Sequence, residues 1–149
     1  MQSTVTIMVG VPGAGKSRYA QSIKGAFAVS ADDYFVALGD GNYAFDPSKL
    51  GKAHAQCLRR FAAAAMRNER HIVVDNTNTT IVELAPYVSL ALAYCYKVEI
   101  ARVTCDPAIA AARNLHGVPE EAVRAMHNRI EAMFAGGLPP FWPVTVRAV

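Results

Sequence analysis

Apolar positions along the chain keep two rhythms, and the switches between them outline the elements. Thr4 to Val9 is a β-branched apolar run closed by Gly10, the pattern of a strand covered on both faces. A helix is expected over Lys16 to Lys24, then a short strand near Ala26 to Ser30 and a polar break at Asp32 and Asp33. Asp46-Pro47 reads as an N-cap with proline at the first helical position, opening a long helix to about Asn68. Leu50, His54, Cys57, Leu58, Phe61 and Ala65 recur at helical spacing and are expected to form its buried stripe. Ile72 to Asp75 predicts a third strand ending in an acid, Val82 to Tyr94 a helix and Lys97 to Val103 a fourth strand. Pro107 to Asn114 and Pro119 to Phe134 predict two helices around the turn-prone stretch Leu115 to Val118, and after the loop Gly136 to Pro140, Val144 to Val146 reads as a last short strand. Strands alternating with helices predict an α/β fold, a central parallel sheet of about four to five strands with helices on both faces.

Bulk properties narrow this picture by exclusion. A chain of 149 residues buries one sizeable core and is too short for two ordinary domains, so residues 1–149 are expected to form a single unit. With 52% hydrophobic and 18% charged residues it is not a disordered chain. The greasiest stretch, Ile81 to Tyr96, is broken by Glu83, Pro86 and Ser89. It falls short of the ~18 clean apolar residues of a membrane span, and no membrane partner is expected. The amino terminus runs directly into a glycine-rich motif with no leader pattern, from which a cytoplasmic location is expected. Cys57, Cys95 and Cys105 lack C-x-x-C spacing and read as reduced thiols, and the four histidines show no zinc-ligand pattern. The net charge of +3 is compatible with almost any soluble enzyme.

Gly10-Val11-Pro12-Gly13-Ala14-Gly15-Lys16-Ser17 matches G-x-x-x-x-G-K-[ST] after a strand and before a helix, the context this motif requires. Its glycines let the backbone curl so that amides point at phosphate oxygens. Lys16 is expected to reach the β- and γ-phosphates of ATP and Ser17 to hold Mg²⁺, with Gly10, Pro12, Gly13, Ala14, Gly15 and Arg18 completing the nucleotide-binding set. Asp32 and Asp33 stand at the carboxyl end of the second strand, where an open α/β sheet presents its ligands. A carboxylate there can take the proton of an attacking hydroxyl, and both can also cap the helix that follows. Asp32 is assigned the catalytic role, and Asp33 a structural or metal-associated one at the acceptor side. Asp75, closing the third strand, stands where a second Mg²⁺ ligand is needed. The polar run after it either lines an acceptor groove, with Thr77 and Asn78 as candidates, or is a satisfied loop with a helix cap. Arg113, ending an alanine-rich helix before Gly117, suits a lid that closes over a transferring phosphoryl group, or is a helix-dipole partner. Lys52, Arg59, Arg67 and Arg70 read as one face of the long helix, either a phosphate-tracking patch or a solvated surface.

The order GVPGAGKS, VSADDYF, VVDNTNT and ARNLHGVPEEAVRAMHNRIE resembles the kinase domain of bacteriophage polynucleotide kinase and its relatives, which include a domain in some eukaryotic ubiquitin-ligase-binding proteins. The resemblance runs from about Val5 to Glu131. It implies a P-loop NTPase fold with a small helical lid, and transfer of the γ-phosphate of ATP, with Mg²⁺, to a hydroxyl on a nucleic acid, DNA ahead of RNA. It implies Lys16 and Ser17 as phosphate and metal ligands, Asp32 as general base, Asp75 as the acid after the third strand and Arg113 as a lid arginine on the ATP phosphates. Two departures bear on the acceptor. Phe35 stands where the phage enzyme has an arginine for the acceptor phosphate, and His116 stands close to the place of a second lid arginine. Related phage enzymes phosphorylate hydroxymethyluracil within DNA, and an aromatic Phe35 stacking on a base would suit such an acceptor. The alternatives are a kinase for a sugar, nucleoside or metabolite and an ATP-binding regulatory module.

Overall fold

A computed structural model describes residues 2–149. Five parallel strands, β1 (Thr4–Val9), β2 (Phe27–Val29), β3 (His71–Val74), β4 (Lys97–Arg102) and β5 (Val144–Ala148), lie side by side in the order β2-β3-β1-β4-β5. The α/β fold read from the sequence is the fold found, with five strands in its sheet. β1 is the middle strand, paired with β3 on one side and β4 on the other, so its side-chain alternation decides what each face meets. Val5, Ile7 and Val9 enter the larger core with Ile72, Val74, Val98 and Ile100. Met8 points the other way and packs with Val73 and Ala101 against Ala20 of α1 (Lys16–Ser22). Thr6 shares the α1 face and is 2% exposed, and its hydroxyl lies 2.8 Å from His71 Nε2, so this buried oxygen has a partner.

The larger core lies under α2 (Asp32–Leu38), α3 (Leu50–Met66), α4 (Ile81–Ala93), α5 (Pro107–Arg113) and α6 (Glu120–Gly136). α3 begins as expected behind Asp46, whose carboxylate accepts the Ser48 N–H at 3.0 Å and caps a short 3₁₀ turn, Pro47–Lys49. Its buried stripe is Ala53, Cys57, Phe61, Ala64 and Ala65. Leu50 and His54, expected in that stripe, are exposed because they lie on the flank of α3 that borders a cleft. Arg67 is the C-cap of α3 and Arg70 lies beyond it, so these two do not continue a basic helical face from Lys52 and Arg59. Among the described residues, no helix is long and apolar enough to cross a membrane.

α2 replaces what reads in the sequence as a polar break. Ala31 starts it, and Asp32 and Asp33 fall in its first turn, where carboxylates complement the unpaired amides of a helix start. Phe35 then turns inward and is 1% exposed, with its ring 5.8 Å from that of Tyr43 and 5.1 Å from that of Phe45. The expected role of Phe35 as a base-stacking surface is therefore corrected: the chain buries this ring as a core prop. Phe35→Ala is expected to cost about 3 kcal/mol in a urea unfolding titration, as deletion of a buried ring does. A loss under about 1 kcal/mol would contradict the core assignment.

Candidate active site

The site grows from the carboxyl ends of β1, β2 and β3. After β1 the chain curls through Gly13 and Gly15, whose φ angles of 82° and 104° favour glycine. A Cβ at Gly13 would run into the carbonyl of Ala110, so the loop also needs glycine to let α5 pack against it. Lys16 reaches back along this curl and donates to the Val11 carbonyl at 2.9 Å. The root of the loop is sewn to the segment after β3: Gly10 N–H donates to the Thr77 carbonyl at 3.1 Å, and Asn78 Nδ2 donates to the Met8 carbonyl at 2.8 Å. Asn78 is 3% exposed and its amide is spent on the backbone, so its expected role as an acceptor ligand is corrected to a structural one.

Asp75 stands directly after β3, and Ser17 Oγ donates to its Oδ2 at 2.8 Å. Burial pushes the Asp75 carboxyl above its ordinary range, against the pull of the Ser17 hydroxyl and the Lys16 charge. Burial likewise pushes Lys16 below its ordinary range, against the pull of Asp75 and Asp32. Opposite charges held together in a partly dry corner, each at a cost, are a mark of functional sites.

Asp32 is set by its neighbours. Asn76 Oδ1 accepts the Ala31 N–H at 2.8 Å, which pins the start of α2 to the end of β3. Asp33 Oδ2 accepts from the Ser30 N–H at 3.2 Å and from the Arg60 guanidinium, so the second carboxylate of the pair holds the turn. Asp32 is exposed to the cleft and meets two rings. Tyr43 Oη donates to Oδ1 at 3.3 Å, and His116 Nε2 lies 3.6 Å from Oδ2. Burial, with the charge and hydrogen bond of Asp32, pushes the Tyr43 hydroxyl up to about 12, so it stays protonated as a donor. The His116 ring packs against Tyr43, tilted by 34° with centroids 3.8 Å apart.

These groups share one cavity of about 530 Å³. Pro12, Lys16, Ser17, Asp32, Asp75, Thr77 and His116 line it, with Tyr43, Phe45, Leu50 and Met126 as its apolar wall. The structure thus brings together Lys16, Ser17, Asp32, Asp75 and Thr77. It does not bring Arg113 or Arg18, which are exposed on α5 and α1 and do not line this cavity. Across Val11, a second cavity of about 480 Å³ is lined by Thr104, Cys105, Asp106 and His127 among others. Among the described residues no group of three or more His, Cys, Asp or Glu is placed to hold a metal alone. The Ser17–Asp75 pair nevertheless suits Mg²⁺, which takes hard oxygen ligands and draws few of them from the protein.

Sequence reasoning missed Tyr43 and Phe45, and held Asn76 only as a member of the polar run after Asp75. A signal existed for the first two, since Tyr43 and Phe45 alternate with Asn42, Ala44 and Asp46, which puts both rings on one side of an extended segment.

A family model described as an AAA domain matches residues 5–135. NEDD4-binding protein 2 of Homo sapiens is 34% identical over 130 residues, covering 82% of this chain and 7% of that protein. Among solved structures, the Pnkp1/Rnl/Hen1 RNA repair complex contains a chain that is 18% identical with a TM-score of 0.74, over 91% of this chain and 46% of that one. The Mycobacterium tuberculosis APS kinase in complex with AMPPNP and APS is 16% identical with a TM-score of 0.53, over 78% of this chain and 70% of that one. At such identities the structural likeness is one of fold. The chain spans about 7% of the length of the curated relative it matches.

Proposed function

The chain belongs to the AAA domain family, and on that premise we propose that it is a kinase that moves the γ-phosphate of ATP, with Mg²⁺, to a hydroxyl on a nucleic acid. One observation carries this reading: a single cavity is lined by Lys16, Ser17 and Asp75 and also by the Asp32 carboxylate. A phosphate chain held by the first three and a hydroxyl bonded to Asp32 would be brought together in this one cavity. Mg²⁺ held by Ser17 and Asp75 would supply charge neutralisation at the β- and γ-phosphate oxygens.

The chain's own residues do the rest. The curled amides around Gly13 and Gly15 hold the phosphates. Lys16 leaves the Val11 carbonyl for the β- and γ-phosphate oxygens and offsets charge in the transition state. Asp32, oriented by Tyr43 and His116, takes the acceptor's hydroxyl proton as that oxygen bonds to phosphorus. The bond from this phosphorus to the β–γ bridging oxygen breaks, and ADP leaves with the electron pair. The cavity across Val11 is suited to the nucleoside half of the donor. Arg113 ends α5, which packs against the loop at Gly13, a position from which an arginine could close over the phosphates.

The structural relative from an RNA repair complex supports a nucleic-acid acceptor, and the APS kinase bound to AMPPNP supports an ATP-type donor. Transfer of labelled γ-phosphate tests the acceptor. Four substrates are compared: 5′-hydroxyl DNA, 5′-hydroxyl RNA, end-blocked DNA carrying hydroxymethyluracil and end-blocked unmodified DNA. Label on one of the first three is expected and identifies the hydroxyl. Label on free nucleosides or small alcohols alone would replace the nucleic-acid acceptor with a small-molecule one, and no transfer to any of these would sink the kinase reading.

A further inference from the structure

We propose that Phe45, backed by Tyr43, is a stacking wall that receives one unpaired nucleobase of the acceptor. This rests on the reading of the cleft as a kinase acceptor site and names what that site holds.

The first reason is charge. Among the described residues Lys16 is the one lysine or arginine lining the main cavity, and the charges of Asp75 and Asp32 act on it. Beyond Lys16 the nitrogen-bearing rings on the cavity are His54 and His116, His116 lies 3.6 Å from Asp32 Oδ2, and a phosphate set there would meet the Asp32 charge. What fits is an uncharged group that carries its hydroxyl to Asp32.

The second reason is the shape and support of the wall. Tyr43 and Phe45 lie within 10° of parallel with centroids 6.3 Å apart, so their faces point the same way. Phe35, buried beneath, props both rings. Phe45 lines the cavity and is 51% exposed, a large apolar face left to water above the buried Phe35 ring. His116 already lies on the Tyr43 ring, which leaves Phe45 as the open one. Because Tyr43 is also bonded to Asp32, a flat ring laid along this wall stands beside the carboxylate that its sugar or methylene hydroxyl must reach. A nucleobase has the required flat, polarizable, uncharged face, and stacking on aromatic side chains needs no particular base.

The test is direct binding of a trinucleotide whose 5′-terminal base is 2-aminopurine, a base whose fluorescence falls on stacking, without ATP. The wild-type chain is expected to quench it. Phe45→Ala is expected to bind on the order of tenfold more weakly and to lose the quench, the loss that follows removal of one base–aromatic stack. Phe45→Trp is expected to keep both. A matched trinucleotide with an abasic 5′ end should bind the wild type and Phe45→Ala alike. Because the ring is half exposed, its removal should leave the unfolding midpoint in place, unlike Phe35→Ala. The proposal is overturned if the wild type does not quench, or if Phe45→Ala discriminates the base-bearing from the abasic trinucleotide as well as the wild type does. Quenching without phosphate transfer would sink the kinase reading and leave the wall standing. Transfer without quenching would do the reverse.

Discussion

Asp32→Asn is expected to lower kcat for phosphate transfer by about 10²–10⁴-fold, the usual worth of a positioned general base. Asparagine keeps the shape of the side chain and can still accept from Tyr43 Oη, but it cannot take the acceptor's proton. Folding should be unaffected, because Asp32 is exposed and the turn around it is held by Asp33, Arg60 and Asn76. ATP affinity should be retained, since the phosphate wall is built by other residues. Single-turnover transfer at saturating acceptor, alongside an ATP-binding isotherm, separates chemistry from binding. A rate within about tenfold of wild type would move the proton acceptor elsewhere, with Asp75 the next carboxylate on the cavity.

Lys16→Met is expected to reduce transfer by about 10²–10³-fold and to weaken ATP binding together with it, as loss of a preorganised charge beside a transferring group does. Methionine keeps the apolar stem and removes the cation. Stability should move the other way from activity. Burial is the largest influence on Lys16 and disfavours its charged form, so the folded chain holds this cation at a cost. Sign and window follow: a lysine lowered from 10.5 binds fewer protons folded than unfolded between its lowered value and 10.5, so its contribution to stability rises with pH across that window. In Lys16→Met that rise should vanish, and the melting temperature near neutral pH should be no lower than that of the wild type. A clear fall in melting temperature would mean that Lys16 serves the fold through its bond to Val11, and intact transfer would remove it from the phosphate wall.

Much of this molecule is legible one residue after another. β1 and β3 are read from apolar runs because a strand at the middle of a parallel sheet is covered on both faces and has no polar side to show. The phosphate loop is equally local, since Gly10 to Ser17 are consecutive and its curl depends on glycines at fixed offsets. α2 was only half legible for a local reason too: two adjacent aspartates read equally as a break or as the cap of a helix, and the inward Phe35 marks the helix they begin.

The acceptor side had no such contiguous signature. Asp32 comes from the start of α2, Tyr43 and Phe45 from the loop before α3, Asp75 from the end of β3 and His116 from the turn between α5 and α6. They meet because the strand order β2-β3-β1 sets the ends of three strands side by side, and because α5 packs on Gly13 and carries His116 over Tyr43. The same packing sank Phe35 into the floor of the cleft and left Phe45 as the exposed ring above it, a change no spacing rule registers. By itself, then, the sequence determined the parallel α/β class, the phosphate loop and the residue types on offer, since each depends on neighbours along the chain, while the strand order came from the fold. Which aromatic ring faces the acceptor, which aspartate stays open to the cleft and which expected residues stay away were decided only in three dimensions, where burial and long-range hydrogen bonds choose among side chains that the sequence leaves equivalent.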